Sequence, residues 1–217
     1  MPRVLPIAPE GWPVIATVLV VLGTVAVVGT LAGHVAAVVP LVVVLAFTLW
    51  FFRDPERFPP ADERLVVSPA DGRILEVVAG QTTEEGLPGT RISIFMSPMN
   101  VHVNRNPVSG VVRRVRHTPG RFRAAYADKA SLDNERNSVE IEAADGRPFV
   151  MVQIAGAIAR RIVCRVAAGE RVRRGERMGM IMFGSRVDLW VPPGVEPLVQ
   201  RGERVCAGTT AVARVPA

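Results

Sequence analysis

The sequence predicts a mostly β domain carried behind an apolar α-helical hairpin. Three observations predict it. Apolar residues make up 49% of the 217 residues, yet the excess is concentrated before Arg53. After Arg53 the chain becomes short β-prone runs broken by glycine and proline. No long stretch of helical periodicity interrupts those runs.

The hairpin comes first. Residues 13–33 and 35–52 are two charge-free runs of 21 and 18 residues, separated only by His34. Each is near the ~20 residues needed to cross the hydrocarbon core of a bilayer. Lipid leaves no water to satisfy non-helical backbone, so the expected structure is a pair of transmembrane helices. Pro40 is expected to kink the second. Trp12 and Trp50-Phe51-Phe52 would meet one membrane face as an aromatic belt. Arg3 precedes the hairpin, Arg53 and Arg57 follow it, and the turn carries no arginine. The positive-inside rule then puts both ends, and the following domain, on the cytoplasmic side of the cell membrane. The organisation expected is an anchor at 1–52 and a soluble domain at 53–217.

In the soluble domain the β-prone runs fall at 65–67, 73–78, 91–95, 110–115, 138–141, 148–154, 162–166, 178–182, 186–191 and 210–215. Such spacing predicts a sandwich or barrel, with at most a short helical turn at 155–161. A weak repeat runs through it. Gly169-Glu170-Arg171-Val172 followed by Gly175 is echoed by Gly202-Glu203-Arg204-Val205 followed by Gly208. This pattern resembles the hairpins of lipoyl- and biotinyl-type barrel-sandwich domains. Those carriers attach their group to a lysine, and Lys129, the only lysine, lies outside both repeat units. The resemblance therefore implies the fold and not the carrier role.

Charge and cysteine usage exclude other classes. The formal charge of +6 suits an anionic membrane surface beside an apolar anchor. No nucleic-acid motif or interleaved aromatic stripe accompanies it, so no nucleic-acid partner is expected. Cys164 and Cys206 are isolated, without CxxC spacing or neighbouring histidines, which predicts buried thiols and no metal site.

Four clusters carry chemistry: Phe52-Arg53-Asp54-Pro55, Ser68-Pro69-Ala70-Asp71-Gly72, the stretch from Ser97-Pro98-Met99-Asn100 through His102 to Arg105, and Phe183-Gly184-Ser185. Their order and spacing resemble phosphatidylserine decarboxylase in its short bacterial and archaeal form. The resemblance runs from Phe52 to about Pro193 and includes Pro119-Gly120, Asn134-Glu135-Arg136-Asn137 and Val152-Gln153-Ile154-Ala155-Gly156-Ala157. It implies a proenzyme of phospholipid biosynthesis that decarboxylates membrane phosphatidylserine to phosphatidylethanolamine. It also implies self-cleavage between Gly184 and Ser185, with Ser185 becoming a pyruvoyl cofactor and no metal required. The large (1–184) and small (185–217) chains would stay associated.

The residue types make chemical sense. Decarboxylating an amino acid leaves negative charge on Cα that needs an electron sink, and no standard side chain provides one. A ketone conjugated to an amide does, and it captures the substrate amine as cofactor carbonyls do. Ser185 Oγ would attack the Gly184 carbonyl to give an ester by N→O acyl shift. β-Elimination then frees the upstream chain and leaves dehydroalanine, which hydrolyses to pyruvoyl and ammonia. Glycine at 184 leaves that carbonyl open.

The serine hydroxyl needs a base held by a third group. The resemblance assigns Asp71 as the orienting aspartate and His102 as the histidine of decarboxylation. The family's second histidine, linked to cleavage, falls at Arg105, which cannot accept a proton. Three solutions stay open. His102 serves both steps; His117 swings in as base; or Arg105 stabilises an oxyanion or the lipid phosphate while Asp71 activates Ser185 through water. The first is the most economical, because a near-neutral histidine gives and takes protons in turn. Arg105 is the candidate for the head-group phosphate, and Gly156 for close backbone approach to the substrate. A different class is a membrane-anchored β-barrel adaptor, which predicts an intact chain. Exposed strand edges in so small a β domain are compatible with a homodimer.

Overall fold

The computed structural model describes residues 6–33, 36, 38–120, 134–156, 161–182 and 185–216. The chain divides into two compact units, Met1–Glu56 and Arg57–Ala217.

In the first unit, α1 (Gly11–Leu31) and α2 (Val38–Phe51) pack on each other. At ~1.5 Å per residue α1 is about 31 Å long, enough to span a bilayer core, whereas α2 reaches only about 21 Å. Among the described residues one helix, α1, is thus long and apolar enough to cross a membrane. The second helix begins later than the 35–52 run suggested. Pro40 sits in its first turn, where a missing N–H costs nothing, so it starts the helix and kinks nothing. His34 lies outside the described residues. The outer ends are tied together: Ile7 bridges Arg53, Ala8 N–H donates to Phe52 O at 2.8 Å, and Asp54 N–H donates to Pro6 O. That tie makes the pair a hairpin. Gly11 is required there, because a Cβ would lie 2.6 Å from Phe52 Cβ. Trp12 and Trp50 are exposed at this end as an aromatic belt requires, but Phe51 and Phe52 are fully buried and hold the hairpin closed instead.

The second unit is antiparallel β throughout its described strands. In chain order these are β1 (Leu65–Val67), β2 (Gly72–Thr82), β3 (Pro88–Met96), β4 (Val103–Arg105), β5 (Gly110–Thr118), β6 (Arg136–Ala143) and β7 (Pro148–Ala155). Then come β8 (Arg161–Cys164), β9 (Arg171–Val172), β10 (Arg177–Met182), β11 (Ser185–Val191), β12 (Glu196–Pro197), β13 (Arg204–Val205) and β14 (Ala211–Arg214). An eight-stranded sheet runs β13-β2-β3-β11-β7-β6-β5-β9, and two three-stranded sheets run β1-β14-β12 and β4-β10-β8. The core lies between them, with Ile74, Ile94, Val187 and Leu189 of the large sheet meeting Val66 and Val212 of one small sheet and Met178 and Ile181 of the other. The mostly β prediction holds. The short strands β4, β9, β12 and β13 carry too few residues to show alternation in the sequence. Of the helical turn expected at 155–161, residue 155 ends β7, 161 begins β8, and 157–160 lie outside the described residues. Cys164 is half-buried and Cys206 exposed, so the buried-thiol expectation fails for Cys206, which sits in a polar turn after β13.

The sheet order reads the same from either end because the unit is built of two equivalent halves. One half is β4–β10; the other is β1–β3 with β11–β14. Leu65, Val66 and Val67 pair with Arg214, Ala213 and Ala211, and Val103, Asn104 and Arg105 pair with Met180, Gly179 and Arg177, with the same irregularity in register. Gly72 pairs with Val205 as Gly110 pairs with Val172, so the repeat units are β13 and β9, the two outer strands of the large sheet. Both glycines are compelled: a Cβ on Gly72 would lie 2.1 Å from Phe95 O, and one on Gly110 2.1 Å from Glu142 O. The halves differ at one connection. Strands β6 and β7 are joined by the tight turn at 144–147, with Gly146 at φ +82°. The equivalent strands β3 and β11 are separated by residues 97–184, which contain the whole other half.

Candidate functional site

The two ends of that insertion carry the predicted chemistry. The outgoing segment is Ser97-Pro98-Met99-Asn100-Val101-His102. Its first four residues form a turn, with Asn100 N–H donating to Ser97 O at 2.9 Å and Asn100 Oδ1 accepting from Ser97 N–H at 2.9 Å and Ser97 Oγ at 2.8 Å. The turn presents the Asn100 carbonyl to His102 Nδ1 at 3.0 Å. A carbonyl only accepts, so Nδ1 carries the proton and Nε2 is left as the basic nitrogen. His102 is fully buried.

The returning end is Ser185, the first residue of β11 and also fully buried. It pairs with Met96 of β3 on one side and Ala155 of β7 on the other. Its hydroxyl lies 3.3 Å from Met96 Sδ. The same sulfur receives Asn104 Nδ2 at 3.7 Å. His102 and Asn104 are two residues apart on an extended segment, and therefore project to one side; Ile181 N–H bonds the His102 carbonyl at 3.4 Å, four residues before Ser185. Behind Asn104 runs a buried amide chain: Gln153 Nε2 donates to Asn104 Oδ1 at 2.9 Å, and Asn137 Nδ2 donates to Gln153 Oε1 at 3.1 Å. Asn134 Nδ2 donates to Ala155 O at 2.7 Å, beside the Ser185 pairing. The Asn134-Glu135-Arg136-Asn137 motif thus supplies buried hydrogen bonds to the strand next to Ser185.

Asp71 is buried just before β2, and its carboxylate is committed elsewhere. It forms an ion pair with Arg57, whose Nη2 donates to Oδ2 at 2.9 Å, and Oδ1 accepts from Ala207 N–H at 2.7 Å. Two strand spacings separate Gly72 from Ser185 in the sheet, about 10 Å. Arg105 is 3% exposed and its Nη1 donates to the Gly175 carbonyl at 2.8 Å. It lies on the face of β4 opposite Asn104. Gly156 is buried directly after Ala155, the pairing partner of Ser185. His117 stands half-exposed on β5, 3.8 Å from Glu135. Three strand spacings, about 14 Å, lie between β5 and β11. Gly184 lies outside the described residues. The structure therefore gathers Ser185 with the His102–Asn104 segment, and holds Asp71, Arg105 and His117 at its margins. Among the described residues no three of His, Cys, Asp and Glu gather as a metal site would need.

Sequence reasoning gave no site role to Met96, Asn104, Gln153 and Arg57. For Gln153 a signal existed: it occupies an inward phase of β7 with Met151 and Ala155, where a polar residue demands a buried partner.

Comparison with known proteins follows the same residues. The phosphatidylserine decarboxylase family profile matches residues 44–213. A phosphatidylserine decarboxylase proenzyme of Polynucleobacter asymbioticus is 46% identical over 97% of this chain and 95% of its own length. The proenzyme of Nitratidesulfovibrio vulgaris is 50% identical over 96% of this chain and 94% of its own. That of Ruegeria pomeroyi is 51% identical over 78% and 80%. With the fold, the insertion ends and these matches in agreement, the chain belongs to the phosphatidylserine decarboxylase family of carboxy-lyases.

Proposed function

We propose that the chain decarboxylates phosphatidylserine to phosphatidylethanolamine with a pyruvoyl group that it makes from its own Ser185. The observation that carries this reading is the position of Ser185: a buried serine heading a strand held on both flanks, at the point where the inserted half ends. Family membership sets aside the adaptor alternative.

In the self-cleavage step Ser185 Oγ attacks the Gly184 carbonyl, and the hydroxyl proton passes to His102 Nε2. The Nδ1–H bond to Asn100 O holds the ring in the tautomer that can accept it. Elimination from the ester then releases the upstream chain as its carboxylate and leaves dehydroalanine at 185, which water would hydrolyse to the ketone with loss of ammonia. A scission there leaves β11 paired with β3 and β7, which supports two chains, 1–184 and 185–217, that stay together. A pyruvoyl group at 185 would supply the electron sink that decarboxylation needs. The site suits it: Met96 and Ala155 flank residue 185 with apolar surface, and burial excludes the water that would protonate or hydrolyse prematurely. His102, already the only histidine on the insertion ends, is the proton carrier for that step as well. Asp71 acts at one remove, by fixing through Ala207 and Arg57 the edge of the sheet beside Met96.

Arg105 is the proposed contact for the lipid phosphate, and Gly156 the proposed point of close approach. Arg105→Lys raising KM with kcat unchanged supports the first; a lowered Tm with unchanged KM would reduce Arg105 to a brace for Gly175. The apolar helix α1 supports membrane attachment, with the catalytic unit on the cytoplasmic side by the arginine distribution. Attachment raises the effective concentration of a lipid substrate without new contacts. Deleting the anchor is expected to depress activity on bilayers more than on detergent-dispersed lipid, and equal losses would argue against it.

The deciding experiment is the intact mass of purified protein. Expected are pieces ending at Gly184 and beginning at residue 185, the second with a blocked N-terminus that reacts with hydrazine-type reagents. A single unbroken chain with an ordinary serine at 185 would sink the mechanism.

A further inference from the structure

Strand β11 alternates strictly. Ser185, Val187, Leu189 and Val191 face the core, and Arg186, Asp188 and Trp190 face the other side of the sheet. That second face should be solvated, as one face of an antiparallel sheet commonly is. Directly behind Ser185 it is not: Arg186 is 3% exposed, Asp188 2% and Ser93 0%.

The guanidinium of Arg186 is clamped. Its Nε donates to Asp188 Oδ1 at 2.6 Å, and its Nη2 reaches Asp188 Oδ2 at 3.1 Å, Ser93 Oγ at 2.8 Å and Glu76 Oε1 at 3.1 Å. Glu76 Oε1 also accepts from Arg91 Nη2 at 2.7 Å. Two guanidiniums and two carboxylates thus close a neutral cluster across β2, β3 and β11. A cavity of about 280 Å³ opens on this face, bordered by Arg91, Asp188 and Trp190, and so away from the Ser185 hydroxyl.

Stability does not account for such a cluster, because well-packed apolar residues serve a buried site as well or better than ion pairs. The other half of the molecule makes the same point. Where Glu76 and Ser93 stand, it has Arg114, exposed, and Glu140, half-buried, 4.0 Å apart, with Pro148 and Val150 in place of Arg186 and Asp188. That half needs no clamp to fold, and its chain is continuous at the turn 144–147. The clamp occurs only in the half where, on the function proposed above, the chain is cut. Scission makes residue 185 a chain end, and chain ends fray. A reacting ketone must nevertheless be held to within about 0.5 Å.

Resting on that function, we infer that Arg186, gripped by Asp188, Glu76 and Ser93, is the positioning residue that holds the cut end of β11 in catalytic register. The two ladders hold residue 185 from its flanks, and the clamp pins its neighbour from the face opposite the reacting group.

The test compares wild type, the double variant Arg186→Met with Asp188→Leu, and Arg186→Lys, each as the full chain. The readouts are the extent of splitting, Tm, kcat and KM on dispersed phosphatidylserine. The double variant is expected to split and to keep its Tm, since the ion pair is replaced as a unit. Its kcat should fall about 10- to 100-fold with KM within about twofold, the signature of a misplaced reacting group. Arg186→Lys keeps the charge but loses the planar fork, and should fall between the two. Wild-type kcat in the double variant overturns the inference. If the double variant is insoluble, Arg186→Lys decides alone, and wild-type kcat there overturns it equally. Unsplit wild-type protein is a different result, which removes the proposed function itself.

Discussion

The two halves of the β unit share a register but not a task, and the difference between them isolates what the chemistry adds. At the start of the second strand one half reads Ser68-Pro69-Ala70-Asp71-Gly72 and the other Asn106-Pro107-Val108-Ser109-Gly110. Ser109 Oγ accepts from Arg174 N–H at 3.0 Å, just as Asp71 Oδ1 accepts from Ala207 N–H at 2.7 Å. Oδ1 of Asp71 therefore does the turn-capping that a plain hydroxyl does elsewhere, and the bidentate pair that both oxygens make with Arg57 is the addition. The other contrast is the connection: a four-residue turn in one half, an inserted half in the other. Replacing a turn by two crossing segments brings His102 and Ser185 to one end of the sheet, and leaves a backbone that can be cut without parting any strand from its neighbours.

The largest effect expected on this contrast comes from Ser185→Ala. It should leave the chain whole and without carbonyl reactivity or decarboxylation, as seen by intact mass, while the fold persists because, among the described residues, the hydroxyl's hydrogen bond is to a thioether. His102→Ala follows. Loss of the proton carrier should slow splitting by about 10²- to 10⁴-fold in a timed gel assay, and normal splitting would refute His102 as the cleavage base. Asp71→Ser makes the first half resemble the second. It takes the carboxylate partner from the largely buried Arg57, which keeps its bond to Ala207 O, at a cost of about 3 kcal/mol, read by denaturant unfolding, and splitting should slow. The reciprocal Ser109→Ala should cost about 1 kcal/mol and leave splitting alone; equal effects of the two on splitting would erase the distinction between the halves. The smallest effect is at the surface of the second half. The Arg113 hydrogen bond holds the Glu142 carboxyl below its ordinary range. Its contribution is present above the unfolded carboxyl range and is lost as pH falls through the folded value. Glu142→Gln should accordingly lower Tm slightly at pH 7 and not at all at strongly acid pH, with activity unchanged.

Much of this was legible before the fold. The helical hairpin, the β character, the chemistry-bearing clusters and the two repeat units are local patterns, carried by residue type at fixed spacing. The repeat showed as Gly-Glu-Arg-Val because a left-handed glycine at Gly169 and Gly202 and an inward valine are needed at each edge of the sheet. Its meaning was hidden, because the symmetric partner strands share geometry but little sequence: Pro148 and Val150 stand where the other half has Arg186 and Asp188.

What the amino-acid sequence determined by itself was the set of elements and the choice of Ser185 and His102 as the residues proposed to react, since these depend on periodicity, turn chemistry and side-chain reactivity. What only the tertiary structure decided was partnership. Asp71 bonds Arg57 and Ala207, Arg105 braces Gly175, and Arg186 is caged behind Ser185. Each of those pairings but Asp188 joins residues 14 to 136 positions apart, and burial turns such long-range neighbours into obligatory partners because an unpaired charge cannot stay in the interior.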